Sequence, residues 1–132
     1  MNNRVLIIGA LGQLGGIFIN ALLKRGDFVL ASDIHAPNPN SLGCDFIILD
    51  ALNEKKINEI ILKHNISQVY NFAAVLSAKG ETDPMKTWEI NMGAFLNVVK
   101  ASLGTSVNCI FWPSSIAVFS EQSGLDFVRN EV

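Results

Sequence analysis

A chain of 132 residues, 49% hydrophobic and 17% charged, has the size and balance of one folded domain around one core. Its formal charge of −2 and its singly scattered Lys and Arg offer no basic field to a nucleic-acid backbone. The opening "MNNRVLIIGA" lacks the charged and apolar regions of a leader, and no apolar stretch approaches the roughly 18 residues that span a bilayer, so a cytoplasmic protein without a membrane partner is expected.

In chain order, "RVLIIG" (4–9) reads as a continuous apolar strand and residues 13–25 have helical period. Lys24 and Arg25 suit the negative end of that helix, and Gly26 stops it. "FVLASD" (28–33) is a second strand. The Pro-, Asn- and Gly-rich "HAPNPNSLGC" (35–44) follows where another helix could have stood, and an irregular crossover is expected there. "FIILD" (46–50) is the third strand, and the helix over 53–64 sets Ile57, Ile60 and Ile61 on an apolar stripe opposite its charges. "SQVYNFAA" (67–74) is the fourth strand. Asp83 as N-cap and Pro84 in the first turn open a helix over 84–103, for which Gly104 is the expected C-cap. "NCIFWPSS" (108–115) closes the series as a fifth strand. Apolar strands alternating with helices predict an α/β fold: a doubly wound parallel sheet of about five strands in three α/β/α layers.

Cys44 and Cys109 stand far apart in different settings, so buried or unpaired thiols are expected rather than a disulfide. His35 and His64 have no further ligands at metal-site spacing and read as surface residues, with no metal expected.

The informative stretch is "GALGQLG" at 9–15. A strand that turns straight into a helix has room for a pyrophosphate only if the turn lacks side chains, because the free N–H groups and positive end of the helix then face the phosphates. Gly9 would make the tight turn, Gly12 would admit the phosphates and Gly15 would let the helix pack on the strand. A plain flexible loop would also be rich in glycine. Asp33, 18 residues past Gly15 at the end of the second strand, adds the acceptor that a ribose 2′-hydroxyl needs, although a strand-ending turn residue would look alike. No Arg lies in 10–16 or 34–37 to hold a 2′-phosphate, and a carboxylate would repel one, so NAD is expected in preference to NADP.

Taken with "SD" (32–33), "LDAL" (49–52), "NFAA" (71–74), "LSAKGE" (76–81), "WEINMGAFLNV" (88–98) and "FWPSSIAVF" (111–119), that stretch resembles the extended short-chain dehydrogenase/reductase family of NAD-dependent epimerase/dehydratase type. Within the family the likeness is to the L-threonine 3-dehydrogenase branch, and it covers about residues 4–119. The resemblance implies an NAD site made of Gly9, Leu11, Gly12, Gln13, Leu14 and Gly15 at the turn, with Asp33 and Ile34 after the second strand. It further implies Asp50 at the adenine amino group, Ala51 or Leu52 against the ring, and Phe72, Ala73 and Ala74 along the cofactor where the fourth strand ends. Asn91 lies mid-helix, where asparagine is a poor former; it either bonds the backbone near the fourth strand or is plainly exposed. Ser115 is implied as the catalytic hydroxyl on the substrate oxygen and Ser114 as its helper, although two serines after a strand also make a simple turn. Ser77 and Lys79 in "LSAKGE" stand where they could touch substrate. Ser120 replaces a usual family glycine.

The chemistry that this resemblance implies needs a tyrosine base with a lysine four positions later. The single tyrosine is Tyr70, inside the fourth strand, and position 74 is alanine. Past 120 the likeness ends, so 1–120 is read as a partial NAD-binding Rossmann domain, 121–132 as a tail of unclear structure, and the C-terminal substrate domain as absent. The expectation is a truncated, frame-shifted or excised relative that binds NAD and is inactive alone. Other readings are a nucleotide-sugar epimerase/dehydratase-like piece, a non-catalytic NAD-sensing or interaction module, or an enzyme whose base comes from another chain. A homodimer would pair through the helix over 84–103 or an exposed sheet edge.

Overall fold

The computed structural model describes residues 2–38, 41–75 and 83–114. Five strands, β1 (Arg4–Ile8), β2 (Phe28–Asp33), β3 (Asp45–Ile48), β4 (Gln68–Asn71) and β5 (Cys109–Phe111), form one parallel sheet in the order β3-β2-β1-β4-β5. The helices are α1 (Gln13–Arg25), α2 (Glu54–His64) and α3 (Pro84–Ser102).

The sheet is apolar on both faces because helices cover both. Val5 and Ile7 of the central strand turn to α1, where they pack with Ile19, Leu22, Val29 and Ala31. Leu6 and Ile8 turn to the opposite face and pack with Ile57, Ile61, Ala94 and Val98 from α2 and α3. The three-layer Rossmann-type sheet expected from the sequence is therefore the fold observed. Residues 35–38 and 41–44 form no helix or strand, in keeping with the irregular crossover.

The helix ends have identifiable causes. Asn53 caps α2 by accepting from Lys56 N at 3.0 Å, and Asp83 caps α3 by accepting from Lys86 N at 3.0 Å. Gly26 ends α1 in the left-handed conformation (φ +86°), its N–H donating to the last carbonyls of the helix. Gly104 does not cap α3. Leu103 does, in an extended conformation, and Gly104 (φ +71°) sits in the next turn, closed by Thr105 N donating to Ser102 O at 3.2 Å.

Several strands stop short of their sequence-based limits, because side chains divert the backbone from the ladder. After β3, Leu49 N still donates to Asp33 O at 2.9 Å, but Asp50 then bends the chain by accepting from Leu52 N at 2.9 Å. After β4, Phe72 N donates to Ile8 O, and the Asn71 side chain then takes the N–H of Ala73.

On the α1 side, Phe18, Tyr70, Phe72 and Phe111 form one aromatic cluster, with Phe18 4.9 Å from Phe72 and 5.6 Å from both Tyr70 and Phe111. On the other side, Trp112 stacks on Phe95 of α3 with centroids 4.3 Å apart. Asp27 is buried and accepts from Asn3 and from the Arg25 guanidinium. Cys44 is partly buried and Cys109 exposed, both as free thiols. His35 is exposed and His64 partly buried.

Candidate cofactor-binding site

The site begins where β1 ends. Gly9 N and Ala10 N both donate to Ser32 O, at 3.0 and 2.9 Å, which turns the chain sharply over the end of β2. Gly9 has φ +80°, and a Cβ there would stand 2.6 Å from Ala73 N. Both the conformation and the space therefore require glycine. At Gly15 a Cβ would stand 2.4 Å from Ala10 O, so its absence lets α1 pack directly on the turn. Gly12 is the N-cap of α1 and supplies no side chain to the open N–H groups of the first turn.

A cleft of about 370 Å³ opens beside this turn, within the size range of small-ligand sites. Its walls are the carboxyl ends of four strands: Ile8 and Gly9, Asp33 and Ile34, Leu49 to Leu52, and Phe72 to Ala74. Gly12 and Ile90 complete it. The central β1 is the point at which strand order reverses, and open α/β sheets bind ligands there. Asp33 and Asp50 place two carboxylates on the lining, and among the described residues no Lys or Arg joins them.

Each carboxylate is also tied to backbone. Asp33 Oδ2 accepts from Leu11 N at 3.0 Å and Oδ1 from His35 N at 3.3 Å. Ile34 and Leu52 expose apolar side chains at the lining, and Ala51 is buried. Two asparagines hold the wall after β4. Asn71 is fully buried and its Oδ1 accepts from Ala73 N at 3.2 Å, while its Nδ2 has no partner among the described residues. Asn91 of α3 accepts from Val75 N at 2.7 Å and donates to Val75 O at 3.2 Å.

The residues singled out in the sequence thus divide into groups. Gly9, Gly12, Asp33, Ile34, Asp50, Ala51, Leu52, Phe72, Ala73 and Ala74 line the cleft together. Leu11, Gln13, Leu14 and Gly15 build the turn and the first turn of α1 beside it, and Asn91 stands behind the wall. Ser114 is exposed past β5 and does not line the cleft. Ser77, Lys79, Ser115, Ser120 and the tail 121–132 lie outside the described residues. Sequence reasoning missed Ile8, Leu49, Ile90 and Asn71. Only Asn71 left a signal, a polar residue at a strand position that alternation with Val69 marks as inward.

A family model described as the NAD dependent epimerase/dehydratase family matches residues 5–131, which carries the likeness past the limit of 120 read from the sequence. The chain belongs to this family. An uncharacterized epimerase/dehydratase of Staphylococcus epidermidis is 34% identical over 120 residues, which are 88% of this chain and 37% of that protein. The structure of a GalE-like L-threonine dehydrogenase from Cupriavidus necator in holo form is similar at 37% identity and TM-score 0.81, covering 88% of this chain and 38% of that one. A UDP-glucose 4-epimerase from Brucella ovis in complex with NAD is similar at 25% identity and TM-score 0.73, covering 86% and 39%. The chain thus spans about two fifths of the length of the relatives it matches.

The residues present fit the dinucleotide in the family's name. A turn packed too closely on its own backbone to admit a Cβ at Gly9 or Gly15 runs into a helix start with no side-chain cap, and a carboxylate stands at the end of β2. Among the described residues no group of His, Cys, Asp and Glu could hold a metal, and no helix is long and apolar enough to cross a membrane.

Proposed function

We propose that this chain binds NAD in the cleft beside β1 and constitutes the cofactor-binding part, residues 1–120, of an extended short-chain dehydrogenase/reductase of the L-threonine 3-dehydrogenase type. The observation that carries the reading is the side-chain-free turn over Gly9 and Gly12, which meets the open start of α1 with Asp33 at its flank. The N–H groups of Gln13 and Leu14 would take the pyrophosphate, with Leu11, Gly12 and Gly15 shaping the turn. Asp33 would accept from the adenosine ribose, Ile34 and Leu52 would flank the adenine, and Asp50 would meet its amino group beside Ala51. Phe72, Ala73 and Ala74, steadied by Asn71 and Asn91, would form the wall along the rest of the cofactor. When bound, NAD supplies a hydride acceptor. Asp33 disfavours a 2′-phosphate by like charge, which selects NAD over NADP.

Ser115, with Ser114, is the proposed hydroxyl donor to the substrate oxygen. Tyr70 is not the proton acceptor, because its ring is packed among Phe18, Phe72 and Phe111 on the α1 side of the sheet. The chain alone is proposed to hold cofactor without turning it over. The threonine branch is favoured over the epimerase branch by the higher identity to the Cupriavidus dehydrogenase, 37% against 25% for the Brucella epimerase. A second copy of the chain is the proposed protein partner, through the outer side of α3.

Calorimetric titration tests the reading. NAD should bind in the micromolar range, NADP at least about tenfold more weakly, and Asp33→Ala should abolish that preference. L-threonine with NAD should produce no reduced-nicotinamide absorbance. A folded chain that takes up no NAD would overturn the proposal.

A further inference from the structure

The carboxylate assigned above to the ribose already has a partner within the protein. We propose that Asp33 is also a positioning residue for the glycine turn, so that the pyrophosphate cradle depends on it; this deepens the NAD reading and rests on it. Three consecutive N–H groups of the turn end on β2: Gly9 N and Ala10 N on Ser32 O, and Leu11 N on Asp33 Oδ2 at 3.0 Å. Leu11 is the last of the three before the cap, and packing gives it little hold, since it is 38% exposed. Gly12 adds only a long bond, its N–H donating to Gly9 O at 3.3 Å, and glycine is the residue with the widest conformational range. The Asp33 carboxylate is thus the side-chain restraint on the segment that precedes the ligand-facing amides. Each carboxylate oxygen keeps a second acceptor position, so Asp33 can hold the turn and a ribose hydroxyl at once.

Charge and position predict opposite signs. A carboxylate near a bound diphosphate repels it, so on charge alone its removal strengthens binding. If the carboxylate sets the turn, its removal weakens the binding of any diphosphate there, including one with no 2′-hydroxyl.

The experiment titrates ADP and 2′-deoxy-ADP into the full chain, Asp33→Ala and Asp33→Asn, with circular dichroism to establish that each is folded. The two bonds to Ser32 O do not involve the substituted side chain, so the fold should persist. Asp33→Ala should bind 2′-deoxy-ADP about tenfold more weakly than the original chain. Asp33→Asn, whose amide oxygen can take the Leu11 N–H, should recover most of that loss. Equal or tighter binding of 2′-deoxy-ADP by Asp33→Ala overturns the proposal. Amide hydrogen exchange without any ligand gives a second readout: Leu11 should exchange faster in Asp33→Ala while the α1 interior is unaffected, and an unchanged Leu11 rate overturns it too. If the folded original chain binds neither nucleotide, the NAD reading itself fails, while the exchange rates still decide what Asp33 does to the turn.

Discussion

Gly9 and Gly16 lie seven positions apart, yet a methyl group means opposite things at the two. At Gly9 it would combine a left-handed backbone (φ +80°) with an approach of 2.6 Å to Ala73 N. Gly9→Ala should destabilise the fold by about 2–4 kcal/mol, read as a lower urea midpoint. At Gly16 a Cβ would meet nothing within 4 Å, and the residue lies inside α1. Gly16→Ala should therefore stabilise the fold by about 0.5–1 kcal/mol, read as a higher urea midpoint. Asp27 offers a test by pH. Burial pushes its carboxyl up, but hydrogen bonds from Arg25 and Asn3 outweigh this and hold it below the ordinary carboxylate value. A lowered native value means stability that is fully present above the unfolded pKa of about 3.9 and is lost as pH falls through the native one. Asp27→Asn should thus lower stability at neutral pH and flatten the acid limb of a plot of urea midpoint against pH.

Helix α2 shows how sharply adjacent positions differ. Ile61 is 0% exposed against the sheet, and its neighbour Leu62 is 56% exposed on the outer side. Ile61→Ala should cost about 2–5 kcal/mol and Leu62→Ala less than about 0.5 kcal/mol, measured by chemical denaturation. That stripe was legible in the sequence because the helical period repeats over a whole element, as were the apolar strands and the glycine spacing. Strand ends were not legible. Asp50 and Asn71 stop their strands by side-chain bonds to Leu52 N and Ala73 N, a competition between side chain and ladder that spacing does not encode. Gly104 was misread for a related reason, since glycine marks a left-handed residue near a helix end without saying whether it is the cap or the next turn. Within the site, ten of the motif residues, from Gly9 to Ala74, line the cleft, whereas Gln13, Leu14 and Asn91 stand beside or behind it and Ser114 stands away from it. Ile8, Leu49 and Ile90 joined them only through tertiary packing, which leaves no mark distinct from that of any core aliphatic residue.

At the scale of the molecule, the described helices are uneven, with α1 on one face and α2 and α3 on the other. The outer side of α3 carries Met85, Trp88, Leu96 and Leu103, all exposed, and it is the surface proposed above for a second copy. Sedimentation should show concentration-dependent association that Trp88→Glu shifts toward monomer without lowering the melting temperature; association unchanged by that substitution would rule this surface out. The stack of Trp112 on Phe95 has a different consequence. The chain has two tryptophans, one 66% exposed at position 88 and one 37% exposed at 112. In the monomer Trp88 is already open to water and should change little on unfolding, so at concentrations below association the red shift should belong to Trp112. Because Trp112 links the end of β5 to α3, its fluorescence is a built-in optical reporter of the far side of the sheet, and it would register that edge coming away while the β1 centre stays intact.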